Sequence, residues 1–165
     1  MDPICDEVLN ERIVAIVTMF SSLLLGNELA KLRRCDLRFG REDDAPFVTV
    51  FISRPKTDHA GKGVYRSLVA SGERVCVVKS LLRWANRNKW GPASKGLVFR
   101  NNISSSVGKT LEWIIALKGI PTKLYSSHSM RAGGATHLYL SKAPPRYNSE
   151  VWAMDKSMLF GLPAL

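Results

Sequence analysis

The 165 residues carry 24 Lys/Arg against 14 Asp/Glu, a net charge of +10, with 45% hydrophobic and 23% charged residues, the balance of one globular domain with a real core. The charge is unevenly placed: residues 1–58 hold 8 basic and 10 acidic side chains and residues 59–165 hold 16 and 4, which points to a polyanion, most simply nucleic acid, as partner. Cys5, Cys35 and Cys76 are odd in number and widely spaced, with no CxxC or Cys/His ligand pattern, which argues against a zinc centre or a disulfide framework and fits a reducing compartment.

Asp2-Pro3 opens a predicted helix over roughly Asp6 to Leu24, with acidic residues in its first turn where the helix dipole favours them. Val8, Leu9, Ile13, Ile16, Val17, Phe20 and Leu24 recur at helical spacing and form its expected core face. The apolar run Ile13 to Leu25 is broken by Thr18, Ser21 and Ser22 and is shorter than the ~20 residues a membrane span needs. No basic segment precedes it, so neither a membrane anchor nor a signal peptide is expected, and the protein should be soluble and intracellular. Gly26 should break the helix. Asn27 then caps a short helix from Glu28 to Arg33 with Leu29 and Leu32 inward, and a loop from Asp36 ends near Asp44.

Phe47 to Ser53 is β-branched and aromatic and predicts a strand, as does Val64 to Val69. The polar stretch RPKTDHAGKG between them is a hairpin-type connection. Val75 to Asn86 predicts an amphipathic helix, with Val78, Leu81, Leu82 and Ala85 on one side and Lys79 and Arg83 on another. Gly96 to Phe99 is a short extended segment, and Ser104–Ser106 should cap a helix from Val107 to Leu117. A last short helix is expected from Glu150 to Phe160, behind Pro144-Pro145 and the capping Ser149. The fold class is α+β and predominantly helical, with a small antiparallel sheet of about three strands.

The stretch with the densest chemistry is Ser126 to Leu140, SSHSMRAGGATHLYL. His128 and Arg131 are three apart and share a helix face, and Ser126 or Ser127 can cap that helix. Gly133 and Gly134 follow, although each glycine in a helix costs roughly 1 kcal/mol relative to Ala. Their missing side chains allow close approach of either another backbone or a ligand. An imidazole and a guanidinium at a helix N-terminus suit an anion, so a phosphate pocket is the sharp reading. A solvated face or a structural pair is the plain one. His137 reads as flanking the core rather than as a ligand.

The order of these elements, with HSMRAGGATH near the end, resembles the catalytic domain of tyrosine recombinases, the phage-integrase family. GNELAKLRRCDL resembles the family's first box, in which a glutamate and leucines follow a catalytic arginine. RPKTDHAGKG lies between two strands, as does the hairpin that carries the family's lysine, and HSMR matches its H-x-x-R box. The Gly-Gly-Ala-Thr continuation is similar to integrases of mobile elements, including eukaryotic retroelement types. The resemblance covers nearly the whole chain, although only the H-x-x-R box is specific.

The resemblance implies a tyrosine-recombinase-like helical bundle in which a tyrosine attacks a DNA phosphodiester, with cationic donors around the phosphorus stabilising the transition state. It makes Arg131 a phosphate clamp, His128 a hydrogen-bond donor or proton shuttle, and Lys56 the lysine that protonates the leaving oxygen, with Lys62 behind it. Trp152 falls where the family has His or Trp. Two positions depart from the pattern: Leu25 stands where the first arginine belongs, and Phe160 stands where the nucleophilic tyrosine belongs. Loss of one such donor costs roughly 10²–10³ in rate, and loss of the nucleophile ends covalent chemistry.

The expectation is therefore a single integrase-like catalytic domain over residues 1–165, without the family's N-terminal clamp domain, binding double-stranded DNA and impaired in strand cleavage. Lys62, Lys109, Lys118 and Lys123 are the expected DNA-binding lysines, with salt-sensitive binding. No cofactor or metal is implied. Two alternatives stand beside it: an active recombinase that uses Tyr147 or a tyrosine from another subunit, and a non-enzymatic DNA-binding or protein-interaction module. Phe160, Leu162 and Leu165 form an apolar tail of the kind that can support a homo-oligomer on DNA. Localisation would be nuclear in a eukaryote and cytoplasmic otherwise. The whole reading requires a cationic cradle, and Arg131 turned into a carboxylate, or the hairpin's amines placed far from it, would overturn it.

Overall fold

The computed structural model describes residues 3–42, 44–53, 55, 61–71, 73–91 and 93–141, without the side chains of residues 3–6. Five helices, α1 (Pro3–Ser22), α2 (Gly26–Lys31), α3 (Val77–Arg87), α4 (Ile103–Leu117) and α5 (Ser127–Leu140), accompany three strands, β1 (Leu37–Glu42), β2 (Ala45–Ile52) and β3 (Val64–Val69). The strands form one antiparallel sheet in the order β1-β2-β3. The expected α+β, mainly helical architecture with three strands is what the described residues adopt. None of the described helices is long and apolar enough to cross a membrane.

α1 is the spine. Val14, Ala15, Thr18 and Met19 are buried, and the Thr18 hydroxyl is satisfied by the Val14 carbonyl at 2.7 Å. Ile13, expected in the core, is 45% exposed. Apolar residues lie on several sides of this helix, so periodicity alone did not select the buried face. The helix also ends earlier than expected, at Ser22, because Leu23 takes a left-handed conformation (φ 52°) while Leu24 N–H returns to the Met19 carbonyl. Gly26 does not break α1 but begins α2, and Leu25 rather than Asn27 is the residue before the first helical turn.

The segment expected as a loop from Asp36 to Asp44 is mostly β1, after a 3-10 turn at Arg34–Asp36. β1 is an edge strand of sequence LRFGRE with only Leu37 buried, so it lacks the alternation of a half-buried strand. It pairs in register from Leu37↔Val50 to Glu42↔Ala45, with Asp44, just before β2, at φ 62°. β2 sends Val48, Val50 and Ile52 into the core, and β3 pairs with it from Phe47↔Val69 to Ile52↔Val64, as a hairpin requires.

α3 packs Val77, Val78, Leu81, Trp84 and Ala85 inward, and the Trp84 indole N–H donates to the Val98 carbonyl at 3.0 Å. The extended segment near Gly96 to Phe99 meets the chain after α2: Val98 N–H donates to the Leu32 carbonyl and Arg34 N–H to the Gly96 carbonyl, both at 2.9 Å. Ser104–Ser106 lie inside α4 rather than capping it, and Asn102, at φ 66°, precedes the helix. The expected final helix from Glu150 to Phe160 lies outside the described residues.

Candidate functional site

α5 begins where the sequence suggested. Ser126 precedes its first turn, its N–H donates to Ser129 Oγ at 3.0 Å, and its carbonyl accepts the Ser129 N–H at 2.9 Å. The capping hydroxyl is that of Ser129 reaching back, not that of Ser126 or Ser127 as expected, and the i, i+3 spacing puts His128 and Arg131 on one face. His128 is exposed, and the Arg131 side chain is 16% exposed.

The glycine pair after Arg131 is explained by packing. A Cβ at Gly134 would sit 2.1 Å from the Phe20 carbonyl oxygen and 2.8 Å from Leu23 Cδ2, so α1 backbone fills the space. Gly133 is looser, with a would-be Cβ 3.3 Å from Phe20 Cε2. Of the two occupants left open by the sequence, Gly134 takes backbone rather than ligand. His137 is exposed and lies with its ring tilted against Phe20, centroids 5.8 Å apart, as a core-flanking residue does.

Close packing of α5 on the end of α1 carries Arg131 to the start of α2. Arg131 Nη1 stands 3.6 Å from Glu28 Oε2, and that oxygen accepts the Leu25 N–H at 2.7 Å. Glu28 is three residues into its helix unit and reaches back to the residue before it, one half of a capping box. Its side chain is only 4% exposed, and its Oε1 and Arg131 Nη1 are buried with no hydrogen-bond partner among the described residues. The guanidinium therefore does face a carboxylate. The pair is long and single-pronged, and a guanidinium has five N–H donors. Glu28 moderates the positive charge of Arg131 and holds one edge of it, leaving other donors for an anion.

Leu25 adjoins this pair through its own N–H. The position matched to the family's first arginine thus has its backbone N–H on the same Glu28 oxygen that faces Arg131. Gly26, next in the chain, touches two further elements. A Cβ at Gly26 would fall 2.2 Å from Ser104 Oγ of α4 and 3.9 Å from Ser127 Oγ of α5. Sequence reasoning treated Ser104 and Ser127 only as possible caps and did not place Glu28 against Arg131. A glycine just ahead of N-E-L was the signal for close approach at that point.

The structure brings together Leu25, Glu28 and Arg131, with His128 on the same helix face. Lys62, Lys109, Lys118 and Lys123 are all exposed: Lys62 just before β3, Lys109 on α4, Lys118 at its end, and Lys123 in a 3-10 turn at Thr122–Leu124. Lys56, Trp152, Phe160 and Tyr147 lie outside the described residues, as does the apolar tail.

No protein-family model matches the sequence, and no curated protein matches it. Solved structures do share its fold. The XerH site-specific recombinase bound to its difH substrate before cleavage superposes with a TM-score of 0.64 at 20% identity, over 99% of this chain and 46% of that one. The XerH complex with palindromic difH after cleavage gives 0.63 at 19% identity, over 96% and 42%. The Tn1549 transposon integrase in complex with transposon right-end DNA gives 0.55 at 17% identity, over 100% and 62%. This chain spans less than two thirds of each of those proteins. Its fold is that of a tyrosine-recombinase-like catalytic domain.

Proposed function

On the premise of that fold, we propose that this chain is a recombinase-type domain that binds double-stranded DNA through a backbone phosphate and does not itself cleave the strand. The observation that carries this reading is Arg131, held at the start of α5 beside Glu28 and Leu25 with unfilled donor capacity. A guanidinium suits a phosphate because its planar fork matches two oxygens at once. The solved structures that share the fold are described as DNA complexes of a site-specific recombinase and an integrase, which supports the same partner.

Impaired chemistry follows from two side chains. Phosphoryl transfer relies on several cationic donors, and Leu25 contributes none where the family places an arginine. Phe160, at the position matched to the nucleophile, has no hydroxyl to attack phosphorus. With Glu28 partly offsetting Arg131, the pocket suits holding a phosphate better than driving its substitution.

A nicked suicide duplex, which traps any phosphotyrosyl adduct, tests the claim. Denaturing gels should show no covalent complex. A complex would refute the inactivity, and its loss in Tyr147→Phe would assign the attack to Tyr147.

A further inference from the structure

We infer that Ser104 and Ser127 are phosphate-binding residues that take up a phosphoryl oxygen beside Arg131, a donor set that replaces the arginine absent at Leu25. The inference rests on the phosphate-binding reading above and names the residues that complete its site. Three elements meet at Gly26: its own helix α2, the first turn of α4 through Ser104, and the first turn of α5 through Ser127. The two distances from the Gly26 Cβ position place the hydroxyl oxygens within about 6 Å of each other. Hydroxyl donors reach phosphate oxygens at ~2.7 Å, so two hydroxyls this close can engage a single phosphoryl group.

Neither hydroxyl has a hydrogen-bond partner among the described residues, whereas the neighbouring Ser105 hydroxyl is spent on the Asn102 carbonyl and Ser129 Oγ on the Ser126 N–H. Ser127 and Arg131 are also one turn apart on α5, so the free hydroxyl and the guanidinium share a face. A second sign is the rest of the Arg131 guanidinium: Nη1 is turned to Glu28 Oε2 at 3.6 Å, while its other N–H donors make no hydrogen bond among the described residues. The absence of a side chain at Gly26 is then a requirement of the site: any Cβ there would push the Ser104 hydroxyl away.

The ligand chemistry is a phosphodiester oxygen, held by two neutral donors and one cation. Neutral donors have a distinctive signature. They add affinity but release no counterion, so their loss leaves the salt dependence of DNA binding unchanged, whereas loss of one cationic contact lowers the slope by about 0.9.

The experiment is a fluorescence-anisotropy titration of a labelled duplex at several salt concentrations, with wild type, Ser104→Ala, Ser127→Ala, Gly26→Ala and Arg131→Ala. Each serine variant should bind about 10- to 150-fold more weakly at fixed salt with an unchanged slope, as expected for lost hydrogen bonds to a charged group. Gly26→Ala should reproduce Ser104→Ala while both serines remain. Ala is a good helix former, so both serine variants should unfold at or above the wild-type urea midpoint, which separates lost binding from lost folding. Unchanged affinity in both serine variants, with Arg131→Ala weakened, would overturn the serine assignment and leave the DNA-binding reading standing. No duplex binding by the wild type even at low salt would overturn both.

Discussion

Adding one methyl group at Gly134 probes the contact that places Arg131. The new Cβ would lie 2.1 Å from the Phe20 carbonyl oxygen, 3.1 Å from its carbon and 2.8 Å from Leu23 Cδ2. Non-bonded carbons prefer separations of about 3.5–4.0 Å, so α5 must retreat from α1 by roughly 1 Å. Overpacking costs about 1–3 kcal/mol, and the upper half applies because the opposing atom is backbone that cannot rotate away. Replacing a helical glycine by alanine returns roughly 1 kcal/mol, so Gly134→Ala should lose about 1–2 kcal/mol net. Gly108 in α4 is the internal control, since a Cβ there meets nothing within 4 Å. Gly108→Ala should gain about 0.5–1 kcal/mol. The two variants should therefore differ by about 1.5–3 kcal/mol in urea denaturation at constant m, and by roughly 3–12 °C in Tm. Equal stability of the two would refute the close crossing of α1 and α5.

Glu28→Ala leaves the Leu25 N–H and Arg131 without their shared acceptor and should cost about 1–3 kcal/mol, whereas Glu28→Gln keeps an acceptor oxygen and should cost less than half of that in the same denaturation assay. Leu25→Arg returns a second guanidinium to the start of α2; anisotropy titrations should show tighter duplex binding and a salt slope steeper by about 0.9. Burial pushes the Cys76 thiol up, but hydrogen bonds from the Lys79, Ser71 and Val78 backbone and from Ser71 outweigh it and hold the thiol below its ordinary value of 9.0. A depressed folded-state pKa means that the unfolded chain binds the proton more tightly, so stability should rise as pH climbs through the folded pKa towards 9.0 and be lost on the way back down. Denaturation midpoints measured across that range should flatten in Cys76→Ser.

What the sequence made legible, and what it hid, follows from the range of the interactions. α5 was readable because its start signal and its His128–Arg131 spacing are local, although the capping hydroxyl is Ser129's rather than Ser126's or Ser127's, and β2 and β3 because their β-branched runs are buried on one side. β1 was missed since an edge strand owes its conformation to its partner, and LRFGRE carries no apolar alternation of its own. The start of α2 was misplaced because its cap is a side chain reaching backwards, Glu28 to the Leu25 N–H, rather than a polar residue standing ahead of the helix.

The site shows the same division. His128 and Arg131 were found from spacing, and Leu25 was identified as a departure from a family pattern. The Glu28–Arg131 pair joins residues far apart in the chain, so no local signal announced it. The pair also corrects the picture of a purely cationic cradle, because Arg131 shares its charge with a buried carboxylate. Gly134 was legible as a place of close approach, and the fold supplied the identity of what approaches, the Phe20 carbonyl.

The decisive measurement is duplex-DNA affinity as a function of salt for wild type and Arg131→Ala, read by anisotropy of one labelled oligonucleotide. Wild type should bind with log K falling linearly against log salt, and Arg131→Ala should bind more weakly with a slope smaller by about 0.9. Identical curves for the two proteins would contradict a phosphate held by Arg131.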